Sequence, residues 1–128
     1  MRVMIVDDER PCLDELEYLL KKHKDITIVG AYTNPLDALS SVQYSMPEAL
    51  FIDIDMPNLS GIEFTRRIYG YDATVQVVFV TAHTRLLNQA TKNWPFESIL
   101  KPVSETKLNI IIERLRRRLQ HSPDNSSF

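Results

Sequence analysis

The strongest constraint in this sequence is a repeated switch of hydrophobic period. Short β-rich runs alternate with longer segments whose apolar residues recur at helical spacing. Val3 to Val6, Ile26 to Val29, Leu50 to Ile52, Val75 to Val80 and Ser98 to Leu100 read as strands. Pro11 opens the first intervening helix, with Leu13, Leu16 and Leu20 as its buried stripe. Asn34-Pro35 is a cap-plus-proline signal for a second helix, whose inner face is expected to carry Leu36, Leu39 and Val42. Ser60-Gly61-Ile62-Glu63 has the form of a capping box and opens a third helix running to Ile68. A fourth, more polar helix is expected from Arg85 to Asn93, broken by Trp94-Pro95. After Ser104 a fifth carries Leu108, Ile111, Ile112, Leu115 and Leu119. Such alternation with apolar strands predicts an α/β fold: a five-stranded parallel sheet, doubly wound with five helices. Residues 1–120 are expected to form the domain and residues 121–128 a flexible polar tail.

Composition narrows the function classes. Fifteen lysines and arginines stand against 17 aspartates and glutamates, a net charge of −2. That balance carries no footprint of direct nucleic-acid binding. No apolar run approaches the ~20 residues of a membrane span, and Asp7-Asp8-Glu9 follows the first strand where a signal peptide would continue apolar. A single Cys12 excludes an internal disulfide and a cysteine-based zinc site. The three glycines leave no glycine-rich dinucleotide or nucleoside-triphosphate phosphate loop. A reduced, cytoplasmic setting is expected.

In open parallel sheets, sites gather outside the carboxyl ends of the strands. Four of the five expected strand ends carry chemistry: Asp7 and Asp8, Asp53, Thr81, and Lys101. Converging carboxylates repel one another, and a divalent cation removes the conflict. All-oxygen ligands suit Mg²⁺ or Mn²⁺. Asp8 and Asp53 are expected as direct ligands, Asp7 through water, with the backbone carbonyl of Asp55 completing the shell. One carboxylate can also act as a nucleophile and form an aspartyl phosphate. Lys101 would neutralise phosphoryl charge and the Thr81 hydroxyl would donate to a phosphate oxygen.

Val6-Asp7-Asp8-Glu9, Ile52-Asp53-Ile54-Asp55-Met56-Pro57, Gly61, Val80-Thr81-Ala82 and Leu100-Lys101-Pro102, in that order, resemble the receiver domain of bacterial two-component response regulators. The resemblance spans about residues 1–120. It implies a flavodoxin-like strand order 2-1-3-4-5 and a phosphorylation-dependent switch. Asp53 would accept phosphate from a sensor histidine kinase or phosphotransfer protein, with Asp7 and Asp8 holding Mg²⁺, Thr81 as switch hydroxyl and Lys101 on the phosphate. Such a protein catalyses only its own phosphorylation and dephosphorylation. Output is expected on the face of the fourth helix, fifth strand and fifth helix, controlling an output domain or partner, with a homodimer through that face. Val80-Thr81-Ala82-His83 and Leu100-Lys101-Pro102-Val103 are most similar to receivers that precede a LytTR-type DNA-binding domain, in keeping with transcription regulation. One position departs from the family: Ser98 stands where an aromatic switch residue is usual, with Trp94 or Phe96 as substitutes.

Blander readings compete with these. Asp7-Asp8 could merely favour a helix N-terminus, and Arg114, Arg116, Arg117 and Arg118 a solvated helix face. His23, His83 and His121 have no metal-ligand spacing; His83, two residues past Thr81, is a candidate for tuning phosphoryl hydrolysis. Rival functions are a haloacid-dehalogenase-type phosphatase using Asp53-x-Asp55, a flavin carrier, and a degenerate receiver acting only as a binding module. The phosphatase motif normally closes a first strand, whereas here it closes the third.

Overall fold

The computed structural model describes residues 1–85 and 97–120. It contains β1 (Arg2–Val6), α1 (Arg10–Leu20), β2 (Thr27–Tyr32), α2 (Pro35–Ser45), β3 (Ala49–Ile52), α3 (Gly61–Tyr71), β4 (Gln76–Thr81), β5 (Glu97–Leu100) and α4 (Glu105–Gln120). All strand pairs are parallel and the order is β2-β1-β3-β4-β5, as expected. Four helices are present among the described residues. The fourth helix expected from the sequence lies, beyond Arg85, outside them, as do Trp94, Phe96 and the expected tail.

Because strand side chains alternate between faces, β1 feeds two cores. Met4 and Val6 join Leu50, Ile52 and Phe79 beneath α2 and α3, where Ala38, Val42, Phe64 and Ile68 complete the layer. Val3 and Ile5 join Phe51, Val78 and Val80 beneath α1 and α4, against Leu13, Leu16, Leu20, Leu108, Ile112 and Leu115. At about 1.5–3 kcal/mol for each large apolar side chain removed from water, these two layers fix strand register. Slipping one strand by one residue would exchange its two faces.

The helix signals differ in how they are realised. Asn34 Oδ1 accepts from Leu36 N–H at 2.9 Å, the expected cap. Of the expected stripe on α2, Val42 is buried and Leu39 packs against the core, but Leu36 is 45 % exposed and Pro35 and Ala38 are buried in its stead. Pro35 and Ala38, three residues apart, share the face turned to the sheet, and Leu36 falls beside it. Ser60 Oγ accepts from Glu63 N–H at 3.2 Å, but the Glu63 carboxylate pairs with Arg66 and Arg67, so only half of the box forms. The α4 arginines are not a plain solvated face. Arg114 and Arg118 both hold Glu97 at the start of β5, and Arg116 holds Asp25 at 2.7 Å. Asp25 is pulled below the ordinary carboxylate range by its hydrogen bond to Arg116.

Gly61 is where the fold touches the site. A Cβ there would lie 2.2 Å from the Asp53 carbonyl oxygen and 2.9 Å from Ile54 Cα, both backbone atoms. Gly70, late on α3, meets nothing within 4 Å. Gly61→Ala is therefore expected to cost about 1–3 kcal/mol, whereas Gly70→Ala is expected to stabilise by about 0.5–1 kcal/mol. Urea unfolding midpoints at unchanged slope check both signs.

Candidate functional site

β1 and β3 adjoin at the point where the strand order reverses, and Val6 and Ile52 are register partners. The next residue of each strand is an aspartate, so Asp7 and Asp53 leave the sheet side by side. Asp7 N–H donates to the Tyr32 carbonyl at 3.0 Å and Asp53 N–H to the Val6 carbonyl at 3.1 Å. Both residues are buried, 3 % and 4 % exposed. Each carboxylate uses Oδ1 to build its own turn: Asp7 accepts from Glu9 N–H at 2.9 Å, and Asp53 from Asp55 N–H at 3.2 Å. Their Oδ2 atoms stay free for a cation.

Lys101 supplies one from the end of β5. Its Nζ lies 2.7 Å from Asp7 Oδ2, 3.1 Å from Asp53 Oδ2 and 3.3 Å from Glu9 Oε1. The Lys101 N–H donates to the Thr81 carbonyl at 2.9 Å, which pins the end of β5 to the end of β4. The Lys101–Pro102 peptide bond is cis. Burial by itself would lower the Lys101 ammonium; hydrogen bonds to Asp7 and Asp53 outweigh it and hold the group well above the ordinary lysine range. Thr81 is fully buried, and its Oγ1 accepts from His83 N–H at 3.2 Å. His83 Nε2 in turn lies 3.2 Å from Asp55 Oδ2, so the loops after β3 and β4 meet through their side chains.

Carboxylate oxygens of Asp7, Asp8, Glu9 and Asp53 all lie within 4.8 Å of one another. Burial raises the Asp7 pKa above 3.8, against the pull of Lys101. Asp8 is raised by burial first and by the Asp53 charge second. Asp8 Oδ1 is buried with no hydrogen-bond partner among the described residues. An orphaned carboxylate oxygen within a cluster of hard oxygen donors fits a small divalent cation.

The structure thus brings Asp7, Asp8, Asp53 and Lys101 together, with Thr81 at the adjoining strand end. Asp55 is exposed, and its carboxylate turns toward His83. Ser98 is half-buried opposite Phe79 in the β4–β5 register. Glu9 is a member of the cluster that sequence reasoning passed over. Its adjacency to Asp7-Asp8, at the cap position of α1, was the available signal.

The family model for the response regulator receiver domain matches residues 3–113. The chain is 32 % identical over 127 residues to the transcriptional regulatory protein YpdB of Escherichia coli K12, covering 99 % of this chain and 52 % of that protein. It is 35 % identical over 117 residues to the transcriptional regulatory protein BtsR of Salmonella typhi, covering 91 % of this chain and 48 % of that one. The crystal structure of the response regulatory domain of mrkE from Klebsiella pneumoniae superposes with a TM-score of 0.86 at 30 % identity, covering 95 % of this chain and 100 % of that one. The chain spans about half the length of these curated relatives. It belongs to the response regulator receiver domain family, whose members are signalling switches of two-component systems.

The raised carboxylates have a measurable sign. A folded-state pKa above the unfolded value means that the folded chain keeps protons the unfolded chain has lost. Stability from Asp7 and Asp8 is therefore fullest in acid and falls as pH rises from about 3.8 through their raised values. Asp8→Asn removes part of this strain, and the metal-free variant is expected to be about 0.5–2 kcal/mol more stable at pH 7. The gain should shrink toward pH 4, as followed by urea unfolding across that range.

Proposed function

We propose that this receiver is a phosphorylation-driven switch in which Asp53 accepts a phosphoryl group from a phosphohistidine on a sensor histidine kinase or phosphotransfer protein. The observation that carries the reading is the Lys101 ammonium, 2.7 Å from Asp7 and 3.1 Å from Asp53. A buried cation poised beside a buried nucleophilic carboxylate is what phosphoryl transfer asks of a protein. An oxygen of Asp53 attacks phosphorus while the phosphorus–nitrogen bond of the donor breaks. The electron pair returns to the imidazole nitrogen, which takes up a proton. Lys101 then follows the charge from the carboxylate to the phosphoryl oxygens. The Thr81 hydroxyl leaves the His83 N–H and donates to one of those oxygens.

Mg²⁺, or Mn²⁺ in its place, would be held by Asp8 and Asp53 directly, by Asp7 through water and by the Asp55 backbone carbonyl. When bound it neutralises charge on the phosphoryl oxygens. The orphaned Asp8 Oδ1 and the raised Asp7 and Asp8 support that donor set.

Phosphorylation would stabilise a minor arrangement of the region around the ends of β4 and β5. That region would carry the signal to an output domain or a partner, with a homodimer as one form. The curated relatives, about twice this length, are transcriptional regulatory proteins, which supports transcription control as the output and a LytTR-type DNA-binding partner domain. Residues 1–120 would be the receiver unit, acting in the cytoplasm; among the described residues no helix is long and apolar enough to cross a membrane. The phosphatase reading is not favoured, because it leaves the Asp7–Lys101 pair without a purpose.

Acetyl phosphate or phosphoramidate is expected to add one phosphoryl group to the wild-type chain in the presence of Mg²⁺ only, and none to Asp53→Asn, as read by intact-protein mass spectrometry. Sustained hydrolysis of a generic phosphate ester over many equivalents would instead establish the phosphatase. Lys101→Ala is expected still to bind Mg²⁺, since it keeps every carboxylate that would hold the ion, yet to lose the phosphate-induced change in amide chemical shifts. A normal shift pattern in that variant would remove Lys101 from the mechanism.

A further inference from the structure

Beside the acidic cluster lies a second feature, which shares Glu9 and Lys101 with it. A cavity of about 360 Å³ opens between α1 and the ends of β4 and β5. Cys12, Val80 and Val103 contribute apolar wall, Glu15 and Glu9 contribute carboxylates, and Lys101 closes it on the side of the phosphoacceptor. Glu9, Cys12 and Glu15 fall on one face of α1, so the helix presents acid, thiol and acid to the same space. Glu15 is exposed and has no ion-pair partner among the described residues. The volume is within the range of small-molecule sites, about 300–1,000 Å³, and the lining has their mixture of apolar wall and a few polar groups.

We propose that this cavity is a binding site for a small organic monocation, an apolar body carrying one ammonium group. The sign of the charge follows from the rim. Among the described residues the one cation there is Lys101, already shared among Asp7, Asp53 and Glu9, and Glu15 is left without a counter-charge. An anionic ligand would meet two carboxylates, whereas an ammonium would pair with Glu15 and compete with Lys101 for Glu9. Burial keeps the Cys12 thiol neutral by raising its pKa, so it acts as wall and adds no charge of its own. Since Glu9 and Lys101 belong to both the cavity and the cluster, occupancy of one is coupled to the charge in the other. A cation drawing Glu9 away leaves Lys101 to Asp7 and Asp53, and by linkage any change in the cluster alters the cavity's affinity.

The test uses three isosteres on the ¹⁵N-labelled chain: 2-phenylethylammonium, neutral 2-phenylethanol and anionic 3-phenylpropionate. The ammonium is expected to give saturable shifts at the amides of Cys12, Glu15, Ala82 and Val103, the alcohol weaker ones, and the anion none. Glu15→Gln, at an exposed position, is expected to weaken the ammonium by about twofold to fivefold, the worth of one solvent-exposed ion pair, while leaving the alcohol unchanged. Val103→Trp, which fills the cavity, should abolish all binding; its own dispersed spectrum reports whether it is folded. Equal shifts from cation and anion, absence of saturation at these amides, or an ammonium response indifferent to Glu15→Gln would each overturn the proposal. A further arm, the effect of the ammonium on the rate of Asp53 labelling, rests on the phosphoacceptor reading. Binding with no effect on labelling would overturn the coupling, and failure of labelling itself would fall on that reading and leave the binding site standing.

Discussion

Asp7 and Asp53 sit at the ends of two neighbouring strands, buried, with the same sign of charge. The backbone relieves that only in part, with one N–H donated to each carboxylate. Their peptide groups are spent on the sheet, and each acid's first oxygen is spent on its own turn. The contact that makes the arrangement tolerable is the Lys101 ammonium between their second oxygens. Buried charges persist only when paired and hydrogen-bonded, so this one side chain allows the strand ends to converge. The rest of the site depends on it: the cluster around Asp8 and Glu9, and the joining of β5 to β4 through Thr81.

Much of this was legible in the sequence, for a specific reason. A carboxylate, hydroxyl or lysine that closes an apolar strand is conspicuous because burial there is costly without a partner. Asp7, Asp53, Thr81 and Lys101 stood out in this way, and the strand order implied by the family resemblance placed them together. The fold was legible through the same alternation, since Val3 and Ile5 belong to one face of β1 and Met4 and Val6 to the other. Caps could be read because they are local: Asn34 and Ser60 act on backbone only two or three residues away.

What the sequence did not disclose depends on pairs far apart in the chain or on how a helix seats on the sheet. Glu9 joins the cluster because Lys101 approaches it from the far end of the fold. The α4 arginines look like a solvated run until Glu97 and Asp25 are seen opposite them. Leu36 was expected inside and lies outside because Pro35 and Ala38 take the inner positions of that turn against the sheet, while Leu39 and Val42 keep theirs. No short-range pattern encodes these, since each is decided by packing between elements.

Glu97 repays a final look. It is the first residue of β5, the edge strand of the sheet, and its carboxylate is gripped by two guanidinium groups one turn apart on α4, Arg114 and Arg118. The opposite end of the same four-residue strand leads straight into Lys101. β5 is thus anchored at both ends by ion pairs of opposite polarity: its entry is an acid held by two bases, and its exit leads to a base held by three acids.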